Sequence, residues 1–170
     1  MSLILSGTDG LSDVDGSAAT PAIRGTDANT GIFFPAADTI AFAEGGVEVM
    51  RLDSSANLQF NSGYGSVATA YGCRAWVNFN GTGTVAIRAS GNVTSITDNG
   101  TGDYTVNFTT AMTDANYSAQ VWAATAGSLT VFGAAQSSIT SPTASALRFI
   151  TRNPTPTTVD LDWIQVSIFR

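Results

Sequence analysis

AIRGTDANTGIFFPAADTIAFAEGGVEVMRLD, residues Ala22–Asp53, is the stretch whose reading decides the fold. Short apolar pieces return in it about every nine positions: Ala22-Ile23, Ile32-Phe33-Phe34, Ile40-Ala41-Phe42 and Val47 to Leu52. Turn-formers separate them, among them Gly25 to Gly31, Ala37-Asp38, Glu44-Gly45-Gly46 and Asp53-Ser54-Ser55. Ile40/Phe42 and Val47/Val49 keep period two, so the pieces read as strands. Gly45-Gly46 reads as a tight turn, and Pro35 with the glycines excludes long helices. Strands this short cannot enclose a core alone. They need copies of themselves, or neighbours, to bury their apolar side. The stretch is therefore read as an assembly element.

Composition supports that reading. Only 12% of the 170 residues are charged, about half the usual share. Lysine and histidine are absent, so all seven basic residues are Arg. With 44% apolar residues the chain is not disordered in character. Such a sequence suits a rigid all-β protein whose subunits cover one another, because a monomer with so few charges is poorly soluble. The net charge of −6 argues against nucleic acid, which needs cations against its phosphates, and against anionic membrane surfaces. No run approaches a membrane-spanning helix, and Met1 to Leu5 is too short for a signal sequence, so a soluble product made in a cytoplasm is expected. The single cysteine, Cys73, has no intrachain partner and is expected to be a small buried residue.

In chain order, residues 1–62 hold a strand candidate at Leu3–Ser6, polar turns, the opening stretch and Leu58-Gln59-Phe60. Asp13-Val14-Asp15-Gly16 lacks two ligand positions of a calcium loop and reads as a turn. Residues 63–74, rich in Gly, Ser and Ala, read as a linker or as a short helix over Ser66–Tyr71. Residues 75–170 read as an antiparallel head of seven or eight strands at sandwich spacing. Its clearest hairpin turn is Asp98 to Asp103, followed by Tyr104, Val106 and Phe108 alternating onto one face. The last strand is expected over Val159–Phe169. Leu161 and Trp163 share one parity there, and Ile164, Val166 and Ile168 the other. Either a bulge changes the phase near Trp163, or both faces are buried, as at a subunit interface.

Catalytic chemistry is hard to assemble. Without His there is no base for a Ser or Cys nucleophile and no zinc site. No glycine-rich phosphate loop is present. Asp160 and Asp162, and Asp98 and Asp103, are the carboxylate pairs, and solvated edges explain them better than a glycosidase cleft. No catalytic, cofactor or metal residue is assigned. Exposed aromatics remain as binding candidates, since ring faces and amides can hold a sugar. Tyr64, Tyr71, Trp76, Tyr104, Tyr117, Trp122 and Trp163 qualify, but alternation assigns most of them to packing. Tyr117 and Trp122, flanking the Met112–Asn116 loop and the Ala124–Ser128 turn, are the receptor-contact candidates.

Pro21 to Gly25, Asn29 to Pro35, Asp38 to Phe42 and Gly46 to Asn57 together resemble a repeat-like element of bacteriophage tail fibres and related virion fibres. Ala56 departs from the family form, which has Gly there. Residues Ala75 to Gly83, Asp103 to Phe108 and Met112 to Tyr117 are similar to the C-terminal domains of such fibres, with Thr113 where Pro is common. The resemblance implies a homotrimer on a phage particle: a short intertwined trimeric β shaft or prism followed by an antiparallel β-sandwich head. Its N-terminal end would join a tail, baseplate or other virion protein, and its head would face a host glycan or protein. Neither nucleic acid nor membrane insertion enters. Ile32, Phe33, Phe34, Ile40, Phe42, Met50 and Leu52 are then expected between chains, as are Ile164, Val166 and Ile168 if the last strand lies at an interface. The expected function is a non-enzymatic adhesin. The alternatives are a structural head-fibre, decoration or collar protein without a receptor, and a polysaccharide depolymerase.

Overall fold

The computed structural model describes residues 14–63, 65–125, 131–136 (backbone), 141–153 and 157–170. The strand expected at Leu3–Ser6, Tyr64, the Ser128 turn and Pro154–Pro156 lie outside these residues. The described residues are all-β, with antiparallel sheets and no helix. The chain divides into two compact units, Met1–Ala70 and Tyr71–Arg170.

The described residues of the first unit form a six-stranded antiparallel meander, with neighbours in chain order. Its strands are β1 (Ile23–Arg24), β2 (Gly31–Phe33), β3 (Ile40–Glu44), β4 (Val47–Leu52), β5 (Leu58–Phe60) and β6 (Ala68–Thr69). Gly45 and Gly46 both have positive φ, 58° and 80°, which is the turn a two-residue hairpin between Glu44 and Val47 requires. A bulge between Phe42 and Ala43 pairs Phe42 with Met50 but Ala43 with Glu48, leaving Val49 extra. That shift brings Glu48 and Arg51 into an ion pair. The described residues of this join, 65–74, form no helix, so the one expected over Ser66–Tyr71 is absent. Ala68–Thr69 pairs with Phe60 and Gln59, and the Ala70 amide donates to the Leu58 carbonyl at 2.8 Å. The extended chain finds edge hydrogen bonds there that a one-turn helix between glycines would not.

The described residues of the second unit form eight strands: β7 (Cys73–Asn80), β8 (Ala86–Gly91), β9 (Val93–Gly100), β10 (Asp103–Phe108), β11 (Ser118–Ala124), β12 (Val131–Gln136), β13 (Ala146–Arg152) and β14 (Trp163–Phe169). They are ordered β8-β7-β14-β11-β12-β13-β10-β9, every neighbour antiparallel. The sheet folds back so that its halves face each other, as in a β-sandwich. Phe79 of β7 meets Tyr104 of β10 with ring centroids 5.3 Å apart, and Phe149 of β13 at 6.5 Å. At one margin only Asn92 separates β8 from β9. Its side-chain amide donates to the carbonyls of Arg74 and Thr110, and its Oδ1 accepts from the Thr110 amide. Val77, Phe79, Tyr104, Val106, Phe149, Ile164, Val166 and Ile168 are all at most 1% exposed, and form the core between the layers.

Two expectations about this unit are corrected. The last strand begins at Trp163, not Val159, so Leu161 lies before it and fills the core from a connecting segment. Neither a bulge nor a doubly buried strand is needed: Ile164, Val166 and Ile168 point inward, while Trp163 and Gln165 point out. Cys73 is exposed, not buried. A register shift between Ile168 and Phe169 takes it out of phase with Ala75, the first buried residue of β7.

Candidate assembly and binding surfaces

The two faces of the first sheet differ sharply. On one, Phe33, Ala41 and Ala43 are buried, with Ala18 packed against them. Glu48, Arg51 and Gln59 share this side through their pairings with Ala43, Ala41 and Arg51. On the other, register pairs align Ile23, Ile32, Phe42, Met50 and Phe60 in one row across five strands. Ile40, Leu52 and Leu58 make a second row beside it. Ile23, Ile40, Leu52, Leu58 and Phe60 are each 41–44% exposed, and Ile32, Phe42 and Met50 are half-buried. Within the described residues of one chain, nothing covers these rows. An apolar patch continuous over five strands is uncommon on a soluble monomer. Among the described residues the covered side offers one large apolar side chain, Phe33, whose burial contributes about 2–3 kcal/mol, whereas ordering each residue costs about 1–2 kcal/mol.

At the end of the second row, an open groove of 840 Å³ is lined by Ile40, Leu52, Phe34 and the carboxylates Asp15, Asp38 and Asp53. Asp53 is committed to its own turn. Its Oδ1 accepts from the amides of Ser55 and Asn57, and its Oδ2 from Asn57 Nδ2 and from Gln59 Nε2 at 2.7 Å. These bonds, the Asn57 amide first, lower its pKa. Ala56 takes φ 60° to close the turn.

Of the residues expected between chains, Ile32, Ile40, Phe42, Met50 and Leu52 lie on the open face, and Phe34 lines the groove. Phe33 does not join them. It is 3% exposed inside its own unit, because its register partner Ala41 sets it on the opposite face from Phe42. Ile164, Val166 and Ile168 are likewise enclosed by the second unit's own layers, which already account for their burial. Sequence reading passed over Ile23, Leu58 and Phe60. Their parity relative to β3 depends on register, which the turn lengths between strands do not disclose.

In the second unit the carboxylates serve the fold. Asp103 forms a two-pronged ion pair with Arg148, Nε to Oδ1 at 2.9 Å and Nη2 to Oδ2 at 2.6 Å, and the guanidinium holds the carboxyl below its usual pKa. Asp98 accepts from the Gly100 amide in the hairpin. Asp160 and Asp162 precede β14 rather than sharing a strand, and Asp160 Oδ1 accepts from the Gly102 amide and the Tyr104 hydroxyl. No group of three or more metal-ligating side chains occurs among the described residues.

The aromatic candidates separate. Tyr104 is fully buried. Tyr117 packs edge-on against Phe108, and its hydroxyl lies 3.0 Å from the Ala146 carbonyl; burial pushes its pKa up to about 12. It is a packing residue more than a contact residue. Trp122 is 42% exposed in the middle of β11, on the outer face of its layer and not in a loop. Trp76 and Trp163 lie on the same outer face, 44% and 40% exposed.

The fold and these surfaces define an all-β protein of two antiparallel units, one with an uncovered apolar face and one with an aromatic outer face. No protein-family model, no curated protein and no solved structure matches the chain.

Proposed function

We propose that the chain is a bacteriophage tail fibre: a non-enzymatic, homotrimeric adhesin that attaches the virion to a glycan or protein on the host surface. The observation that carries this reading is the apolar face of the first sheet. Its two register rows from Ile23 to Phe60 and from Ile40 to Leu58 are uncovered by the described residues of one chain. Three copies placing these rows against one another would make a short intertwined shaft with a dry interior. The small intrachain core of the first unit supports the same reading, since a sheet so poorly covered gains its stability from partners. The second unit carries its own core and suits a head that presents a surface outward. The N-terminal end would then dock to a tail or baseplate protein.

Immunogold labelling of particles and binding of purified protein to intact host cells test this together. Label at the tail, with cell binding that competes with phage adsorption, is the expected result. Label on the particle without any cell binding replaces the adhesin by a structural virion protein, and no label on the particle removes both readings.

A further inference from the structure

We propose that the outer face of the layer β8-β7-β14-β11 is a platform for an anionic saccharide, one whose rings carry carboxylates. This deepens the adhesin reading and rests on it for its biological setting. All three tryptophans of the protein lie on this face, at Trp76, Trp122 and Trp163. Register places them around β14. Trp76 is opposite Ser167 from one side, and Trp122 is opposite Gln165 from the other. Trp122 and Trp163 are thus diagonal neighbours, roughly 7–8 Å apart in backbone. Trp76 lies about 12 Å from Trp122 by strand spacing and rise, a span longer than one sugar ring. Trp76 rests on the edge strand β8 at Gly91, where a Cβ would come within 2.4 Å of the indole Nε1.

The groups between the rings decide the occupant. Asn78 pairs with Gln165, and Gln165 with Trp122, so amides stand in register with an indole. Ser167 stands between Trp76 and Gln120 in the same way. Trp76 is therefore separated from the other two rings by hydroxyl and amide groups, while Trp122 and Trp163 neighbour each other across β11 and β14. A second copy of this face would leave those polar groups against indoles, whereas the first unit's face is apolar without interruption. A pyranose fits the alternation: its C–H face stacks on an indole, and its rim hydroxyls exchange hydrogen bonds with amides.

Charge narrows the class. None of the four strands contains Asp or Glu, on a protein with 13 carboxylates and net charge −6. The layer does hold Arg74 and Arg88, both exposed. Arg88 lies over the Trp163 ring, 4.9 Å from its centroid, with Nη1 3.4 Å from Asn78 Oδ1. Stacking and that hydrogen bond hold a guanidinium beside a sugar-sized ring, where it can take a carboxylate through two parallel N–H bonds. The nearest acid along the chain, Asp162, is half-buried ahead of β14.

The test is a titration of the full chain, read by tryptophan fluorescence, which reports this face alone. The probes are oligogalacturonate and polysialic acid, each against its methyl-esterified form. Emission should shift with at least one acid probe, its ester should bind about tenfold more weakly, and Arg88→Gln should cost a similar factor. Trp122→Ala should weaken binding roughly threefold to tenfold while thermal melting is unchanged. No response to either acid probe, or equal binding of acid and ester, overturns the proposal. Tryptophans shielded from iodide in the native assembly also overturn it, because the face would then be a subunit contact. Host cells separate it from the adhesin reading. Wild type that binds cells as well as Arg88→Gln/Trp122→Ala keeps the adhesin and removes this face. Acid-specific binding without cell attachment keeps the face and removes the adhesin.

Discussion

Phe33 and Phe42 lie on opposite faces of one sheet: Phe33 pairs with Ala41 and is 3% exposed, while Phe42, the residue after Ala41, pairs with Met50 on the uncovered side. Their aspartate variants therefore separate folding from assembly. Phe33→Asp buries a carboxylate in the one core cluster among the described residues of the first unit, and should unfold that unit. Phe42→Asp should leave the second unit folded and abolish association. Sedimentation with circular dichroism distinguishes the two; a Phe42→Asp protein that stays fully associated contradicts the assigned interface.

The Asp103–Arg148 pair predicts an acid limb of stability. The folded-state pKa of Asp103 is depressed, chiefly by the Arg148 hydrogen bonds. Its contribution is thus complete above the unfolded value of about 3.9 and is lost as pH falls through the lower folded value. Urea midpoints should be flat from pH 7 to 5 and fall below about pH 4. In Asp103→Asn the midpoint at pH 7 should drop and the acid fall should shrink.

Ala56 occupies left-handed backbone at φ 60°, a conformation that costs a residue with a Cβ about 1–2 kcal/mol. Ala56→Gly should stabilise the Asp53–Asn57 turn by about 0.5–1 kcal/mol, after the extra freedom of glycine in the unfolded chain is deducted. Thermal melting of the assembled protein measures it, and an unchanged or lowered midpoint contradicts the strain argument.

Gly81 seals one end of the second unit's core. Its carbonyl accepts from the Tyr104 hydroxyl at 2.8 Å, and a Cβ there would approach that oxygen to 2.6 Å and Ile164 Cδ1 to 2.8 Å. Gly81→Ala should destabilise by about 1–3 kcal/mol through overpacking. Tyr104→Phe should cost about 1–2 kcal/mol by removing the single O–H donor that the Asp160 and Gly81 oxygens share. Chemical denaturation checks both.

Period two made much of this fold legible. Tyr104, Val106 and Phe108 alternate as the sequence says, and Ile40 and Phe42 share their face. Two things depended on non-local pairing. Leu161 has the parity of an outward residue of β14 but precedes the strand, and only the tertiary path carries it into the core. The tryptophans looked like packing residues because alternation yields two faces without saying which is covered. A signal was present: Trp76 shares parity with Asn78, Trp122 with Gln120, and Trp163 with Gln165 and Ser167. A parity set rich in amides and hydroxyls is an outer face, and its aromatics are exposed with it.

The mass of the native protein in solution tests the central claim most directly. The account predicts a single species at three times the 17.5 kDa chain mass, persisting on dilution and dissociating in Phe42→Asp. A stable, soluble monomer of the wild-type chain would contradict it.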